Sequence, residues 1–141
     1  MAPRSQARLK AAAQAPEVAA HLAFDVADAL QPSRLGRFGT IVDSGFYHLF
    51  DESHTAGFVT DLAAALVPGG RYYLLAFATE FAVPNTPRQV TAAEIRQRFG
   101  GARGWRVLDI RAATFHSRIA PVPAIAACVA TVGADRGDGL E

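Results

Sequence analysis

The chain has 141 residues, half of them apolar, and 14 basic against 13 acidic side chains leave a formal charge of +1. That length suits one domain able to withdraw about 68–70% of its unfolded surface from water, and the balanced charge offers no excess to hold nucleic acid or an anionic membrane. The single cysteine, Cys128, excludes a disulfide framework and a multi-thiolate metal site, and no apolar run reaches the roughly 18 residues of a membrane span.

At the N-terminus Pro3 opens a predicted helix made mostly of good helix formers from Gln6 to Gln14. Ala11 to Ala20 is interrupted by Gln14, Pro16 and Glu17, too polar for a signal-peptide core, which points to a cytoplasmic protein. Leu22, Phe24 and Val26 alternate with His21, Ala23 and Asp25, the period of a strand, and Phe38 to Val42 reads as a second strand ending at Asp43-Ser44-Gly45.

The clearest helix follows. Asp51 or Ser53 can cap it, Phe58, Leu62 and Leu66 repeat at four-residue intervals, and Val59 and Ala63 widen the stripe. Val67-Pro68-Gly69-Gly70 stops it, and Arg71 to Phe77 reads as a strand buried on both faces. A loop from Ala78 to Val90 leads to Thr91-Ala92-Ala93-Glu94, a capping box for a helix ending near Phe99-Gly100-Gly101. Trp105 to Ile110, extending toward Thr114, is a further strand. Pro121 to Val132 is the last one, with Pro121 and Pro123 confining the strand proper to Ala124 onward. The domain is expected to occupy residues 1–132, with 133–141 as a flexible tail.

Three segments in this order carry a family resemblance: Phe24-Asp25-Val26-Ala27-Asp28-Ala29-Leu30, Phe38 through Gly45, and Leu62 through Phe77 with Pro68-Gly69-Gly70 at the turn. Together they resemble the class I S-adenosylmethionine-dependent methyltransferases of small-molecule type, whose fourth strand is followed by Phe/Tyr-His, here Phe46-Tyr47-His48. The resemblance implies an α/β fold: a Rossmann-like sheet of order 3-2-1-4-5-7-6, mostly parallel with an antiparallel C-terminal strand. The glycine-rich loop after strand 1 and the acidic residue ending strand 2 have no counterpart here, so the chain resembles that domain without its first two strands. Their loss would open a gap of about 14 Å beside strand 3 at about 4.8 Å per strand spacing. It would also leave Thr40-Ile41-Val42 as a raw edge, open to a second copy or a complementing chain.

The resemblance implies S-adenosyl-L-methionine as cofactor and a small-molecule O, N or S acceptor as partner, with no nucleic acid and no membrane. Asp28 and Ala29 would meet the adenine ring, although a strand-end aspartate also commonly caps the next turn. Asp43, Ser44 and Gly45 lie at the carboxyl end of a central strand, where open α/β sheets bind ligands, and are either cofactor contacts or a plain strand-to-loop turn. Phe46 and Phe77 would face the acceptor. Tyr47 and His48 would position it or take its proton, or else pack beneath the loop. The four histidines show no metal-ligand spacing, Cys128 reads as a small buried hydrophobe, and Arg96, Arg98, Arg103 and Arg106 as a solvated basic face. Without the glycine-rich loop and the ribose acid, two or three charge-assisted hydrogen bonds of roughly 1.5–3 kcal/mol are lost, about a thousandfold or more in cofactor affinity. The alternative is a non-catalytic interaction module that kept the fold and lost the cofactor site. The methyltransferase reading would fail if Asp28 and Asp43 lay on opposite sides of the molecule with no hollow between them.

Overall fold

The computed structural model describes Glu17, residues 20–81 and residues 86–132. The helix expected between Pro3 and Gln14 and the tail 133–141 lie outside the described residues. Among the described residues four strands, β1 (Phe38–Ser44), β2 (Leu66–Phe77), β3 (Trp105–His116) and β4 (Pro121–Thr131), are interspersed with two helices, α1 (Glu52–Ala65) and α2 (Ala92–Arg98). One-turn 3₁₀ helices at Pro32–Leu35, Tyr47–Leu49 and Gly101–Arg103 join them. No described helix is long and apolar enough to cross a membrane.

The sheet runs β1-β2-β4-β3, which is the 4-5-7-6 half of the order implied by the resemblance. β1 and β2 pair in parallel, and β4 is antiparallel to both β2 and β3. Three strands therefore share one direction and the C-terminal strand opposes them. Among the described residues β1 has a neighbour on one side only, and Val42 on it is 72% exposed.

Leu22 to Asp28 forms no strand. Its alternation is correct for one, but a strand is held by ladder hydrogen bonds to a neighbour, and this segment pairs with none in the sheet. Leu22, Phe24 and Val26 are 49%, 37% and 62% exposed.

α1 begins after Asp51 and buries Phe58, Val59 and Leu62 as its spacing predicts, together with Thr55 and Ala65, while Ala63 is half-buried and Leu66 already begins β2. The Asp51 carboxylate accepts from Ser53 and pairs with His54 Nδ1 at 2.7 Å. Helix passes directly into strand at Leu66. The parallel register jumps there from Phe38↔Leu66 to Thr40↔Arg71, so Val67 to Gly70 bulge out of the ladder. Gly69 takes φ +78°, and a Cβ on Gly70 would sit 2.8 Å from the Val67 carbonyl, which is why the turn needs both glycines.

β2 is buried on one face, not two. Tyr72, Leu74 and Ala76 point into the core, while Tyr73 is 38% exposed. Cys128, opposite Tyr73, is half-buried for the same reason and not a core residue. Tyr72 sits between both helices: its ring lies 6.3 Å from Phe58 of α1 and 5.8 Å from Phe99 at the end of α2. Trp105 closes the row edge-on to Phe99 at 4.9 Å. Burial of each such ring contributes about 1.5–3 kcal/mol.

β4 starts at Pro121, earlier than its prolines suggest. The Pro123 carbonyl accepts from Ala78 N–H at 3.0 Å, so this residue's backbone polar groups face away from β3. Its missing N–H therefore removes no bond to β3, and the β2 ladder begins one residue later at Ala124.

Candidate functional site

β1 ends beside β2, with Asp43 opposite Leu74 and Ser44 opposite Leu75, and Gly45 N–H extends the pairing onto the Leu75 carbonyl at 2.9 Å. The chain then reverses into the Tyr47–Leu49 turn. Asp43 holds that reversal: its carboxylate accepts from Phe46 N–H at 2.8 Å, Tyr47 N–H at 3.1 Å and the Tyr72 hydroxyl at 2.5 Å. Burial lifts the Asp43 carboxyl above its ordinary range, against the pull of those three bonds. Burial and the adjacent Asp43 push the Tyr72 hydroxyl well up, so it stays protonated and donates.

Gly45 adopts φ +82°, and a Cβ there would lie 3.1 Å from the Phe115 ring and 3.5 Å from His48 Nε2. His48 is 3% exposed. Its Nδ1 accepts from Phe77 N–H at 2.9 Å, and its ring packs 4.4 Å from Phe77 and 6.1 Å from Phe115. Burial holds the imidazole below the usual histidine range; the Gly45 backbone pulls the other way, and the Arg88 charge adds to the lowering. Phe77 and Phe115 meet edge-to-face at 4.8 Å, and Phe81 lies 5.4 Å from Phe77, so three half-buried aromatic rings gather at this end of the sheet.

Tyr47 has no exposure at all, and its hydroxyl donates to Glu94 Oε2 at 2.7 Å. Arg88 grips the same carboxylate with both terminal nitrogens at 2.6 and 2.7 Å, donates through Nε to the Phe50 carbonyl at 2.9 Å, and lies 5.1 Å above the Tyr47 ring. Burial pushes the Glu94 carboxyl upward, but the bonds from Arg88 and Tyr47 outweigh it and hold the group below its ordinary value. This pairing also changes the capping box: Thr91 Oγ1 accepts Glu94 N–H at 3.1 Å, while the Glu94 side chain turns to Arg88 instead of back to Thr91. Tyr47 is in consequence an internal strut, not a group facing an acceptor.

Asp28 makes a local turn, accepting Leu30 N–H on Oδ1 and Gln31 N–H on its carbonyl, both at 3.0 Å. The following 3₁₀ turn is tied to α1 through Ser33, whose N–H and hydroxyl both donate to Asp61. Ala29, Pro32, Ile41, Asp43, Ser44 and Phe46 border one hollow of about 530 Å³, floored by Phe58, Leu62 and Tyr72. Asp28 itself borders the neighbouring depression, with Ser33, Ser53, His54 and Asp61.

The fold thus brings Ala29, Asp43, Ser44 and Phe46 to one hollow, and Gly45, His48 and Phe77 to an adjoining aromatic cluster. It leaves Tyr47 beneath them. Sequence reading missed Phe115, Tyr72, Arg88 and Glu94. The odd arginine in the Ala78–Val90 loop and the glutamate of the capping box were visible signals for the last two. Phe115 had none, because its contact with Gly45 spans 70 positions of chain.

No family model matches the chain. Over 100 residues, 69% of its length, it is 31% identical to 2-heptyl-1-hydroxyquinolin-4(1H)-one methyltransferase of Mycobacteroides abscessus, and it spans 43% of that protein's length. A SAM-dependent methyltransferase from Methanosarcina mazei superposes with a TM-score of 0.63 at 14% identity, over 78% of this chain and 67% of that one. The N-methyltransferase NodS from Bradyrhizobium japonicum WM9, solved with S-adenosyl-L-homocysteine, gives 0.58 at 17% identity, over 79% and 55%. At these identities the structural likeness speaks for the fold alone.

Proposed function

This chain carries the class I S-adenosylmethionine-dependent methyltransferase fold, with S-adenosylmethionine its expected cofactor, and from that premise we propose that it serves methyl transfer to a small-molecule O, N or S acceptor. The observation that carries the reading is the hollow shared by Ala29, Asp43, Ser44 and Phe46 at the carboxyl end of β1.

The fit of the cofactor to these residues is uneven. The apolar lining of Ala29, Pro32, Ile41, Phe46 and Phe58 suits a purine ring, whereas Asp28 borders the neighbouring depression and its carboxylate accepts Leu30 N–H. Gly45 is packed against the Phe115 ring, so Ser44 is the polar group the lining offers beside it for the methionine part. The lining includes no cation to meet a carboxylate, and its one acid, Asp43, is already held by three donors. Adenine-side contacts are therefore the share these residues supply, and binding by this chain is expected to be weak.

Bound there, S-adenosylmethionine supplies an activated methyl group on a sulfonium sulfur. The chain's own task is then alignment: Phe46 and Phe77, joined by Phe115, wall the acceptor side and exclude water, and the reaction needs an in-line approach more than acid–base help. The Mycobacteroides relative is named for a hydroxyquinolone, which makes hydroxylated heteroaromatic compounds the acceptor class to assay first.

Isothermal titration with S-adenosylmethionine and S-adenosylhomocysteine tests the reading. Heat at up to millimolar ligand, abolished by Ala29→Trp, supports it. A well-folded sample that gives no heat supports the interaction module instead.

A further inference from the structure

We propose that His48 acts as a positioning residue and not as a general base, so that the acceptor is a nucleophile acidic enough to arrive already ionised. The inference rests on the methyl-transfer reading and narrows its substrate class.

The geometry assigns both ring nitrogens. Nδ1 accepts the Phe77 N–H at 2.9 Å, and only an unprotonated nitrogen can accept. The proton of the neutral ring must then sit on Nε2, the nitrogen turned toward Gly45. A base needs a lone pair aimed at the acceptor, and this imidazole presents a donor. His48 thereby bridges the end of β2 to the turn after β1, and its backbone carbonyl takes Arg88 N–H at 2.9 Å.

The other titratable groups packed around it are likewise engaged. Asp43 accepts three donors, the Tyr47 hydroxyl is bound to Glu94, and Arg88, the charged group facing His48, is paired with Glu94. An acceptor hydroxyl that must lose its proton during the reaction has no relay through these groups. An acidic one would need none: with S-adenosylmethionine bound, its anionic oxygen would form the new O–C bond as the methyl–sulfur bond broke, the electron pair staying on sulfur to leave a neutral thioether. Charge and atoms balance without a proton transfer.

Long-range proton–nitrogen correlation on the full chain with ¹⁵N-histidine, assigned with His48→Gln, reads the tautomer without any cofactor. A neutral ring protonated at Nε2 across pH 6–8 is expected; a ring protonated at Nδ1, or one titrating near 6.5, overturns the inference. In turnover, the pH midpoint should move with the acidity of the hydroxyl across a series of hydroxyaromatic acceptors. A midpoint that stays put whatever the acceptor overturns it too. His48→Asn, whose amide oxygen can still take Phe77 N–H, should lose less than about tenfold in kcat, where removal of a general base costs about 10²–10⁴-fold. Failure of the tautomer assignment sinks this inference alone, whereas failure to bind S-adenosylmethionine sinks the function on which it rests.

Discussion

The Tyr72 hydroxyl, on β2, donates to the Asp43 carboxylate, on β1, at 2.5 Å in the buried floor of the hollow. The bond ties the two parallel strands together at the level where β1 gives way to the Tyr47–Leu49 turn. Because Asp43 also holds the first two N–H groups of that turn, the position of Phe46 depends on a side chain one strand away.

Tyr72→Phe leaves the buried carboxylate one donor short and should lower unfolding free energy by about 1–3 kcal/mol. Asp43→Asn should cost at least as much, since an amide nitrogen cannot accept from Tyr72 or Tyr47. Urea denaturation measures both, and the double variant should be less than additive because the two share one bond.

Gly45→Ala combines a left-handed backbone with a Cβ 3.1 Å from the Phe115 ring. A loss of about 1–3 kcal/mol is expected. Adding Phe115→Leu should return the part due to crowding and leave the part due to φ. Thermal melts of the single and double variants separate the two contributions.

His48 is held below its unfolded value of 6.5, first by burial. A base with a depressed folded pKa contributes stability that is intact above the unfolded pKa and lost as pH falls toward the folded one. Unfolding free energy should therefore decline below about pH 6.5, and His48→Asn should flatten that part of the curve. Equal slopes for both proteins in denaturation series between pH 7.5 and 5.5 would contradict the assignment.

Arg88→Met removes two bonds from Glu94, one from the Phe50 carbonyl and the cation above Tyr47. With Glu94 only 14% exposed, a carboxylate left with the Tyr47 hydroxyl but no cation should cost about 1–3 kcal/mol. Hydrogen exchange should quicken at Val90 N–H, bonded to the Phe77 carbonyl, and at position 88, bonded to His48. Both bonds anchor the loop that ends at α2.

Val42 stands 72% exposed on β1, whose outer side has no partner among the described residues. Self-association that rises with concentration is expected from such an edge, and Val42→Lys should suppress it with little change in melting temperature. Sedimentation velocity across a concentration series reads the outcome.

The amino-acid order alone determined the elements whose cause is local. The α1 stripe from Phe58 to Leu62, the proline–diglycine bend and the Thr91 cap follow from spacing and turn chemistry within a few residues, and so does the end of β1 at Asp43-Ser44-Gly45. The tertiary structure decided everything that depends on a partner far along the chain. Leu22 to Val26 has strand alternation without a strand, because pairing requires a neighbour. Tyr72 and Asp43 are 29 positions apart, Tyr47 and Glu94 are 47 apart, and the proton on His48 is placed by the backbone of Phe77. A pattern can nominate a polar side chain for a site, but whether that side chain is free to act is settled by which donors and acceptors folding brings against it.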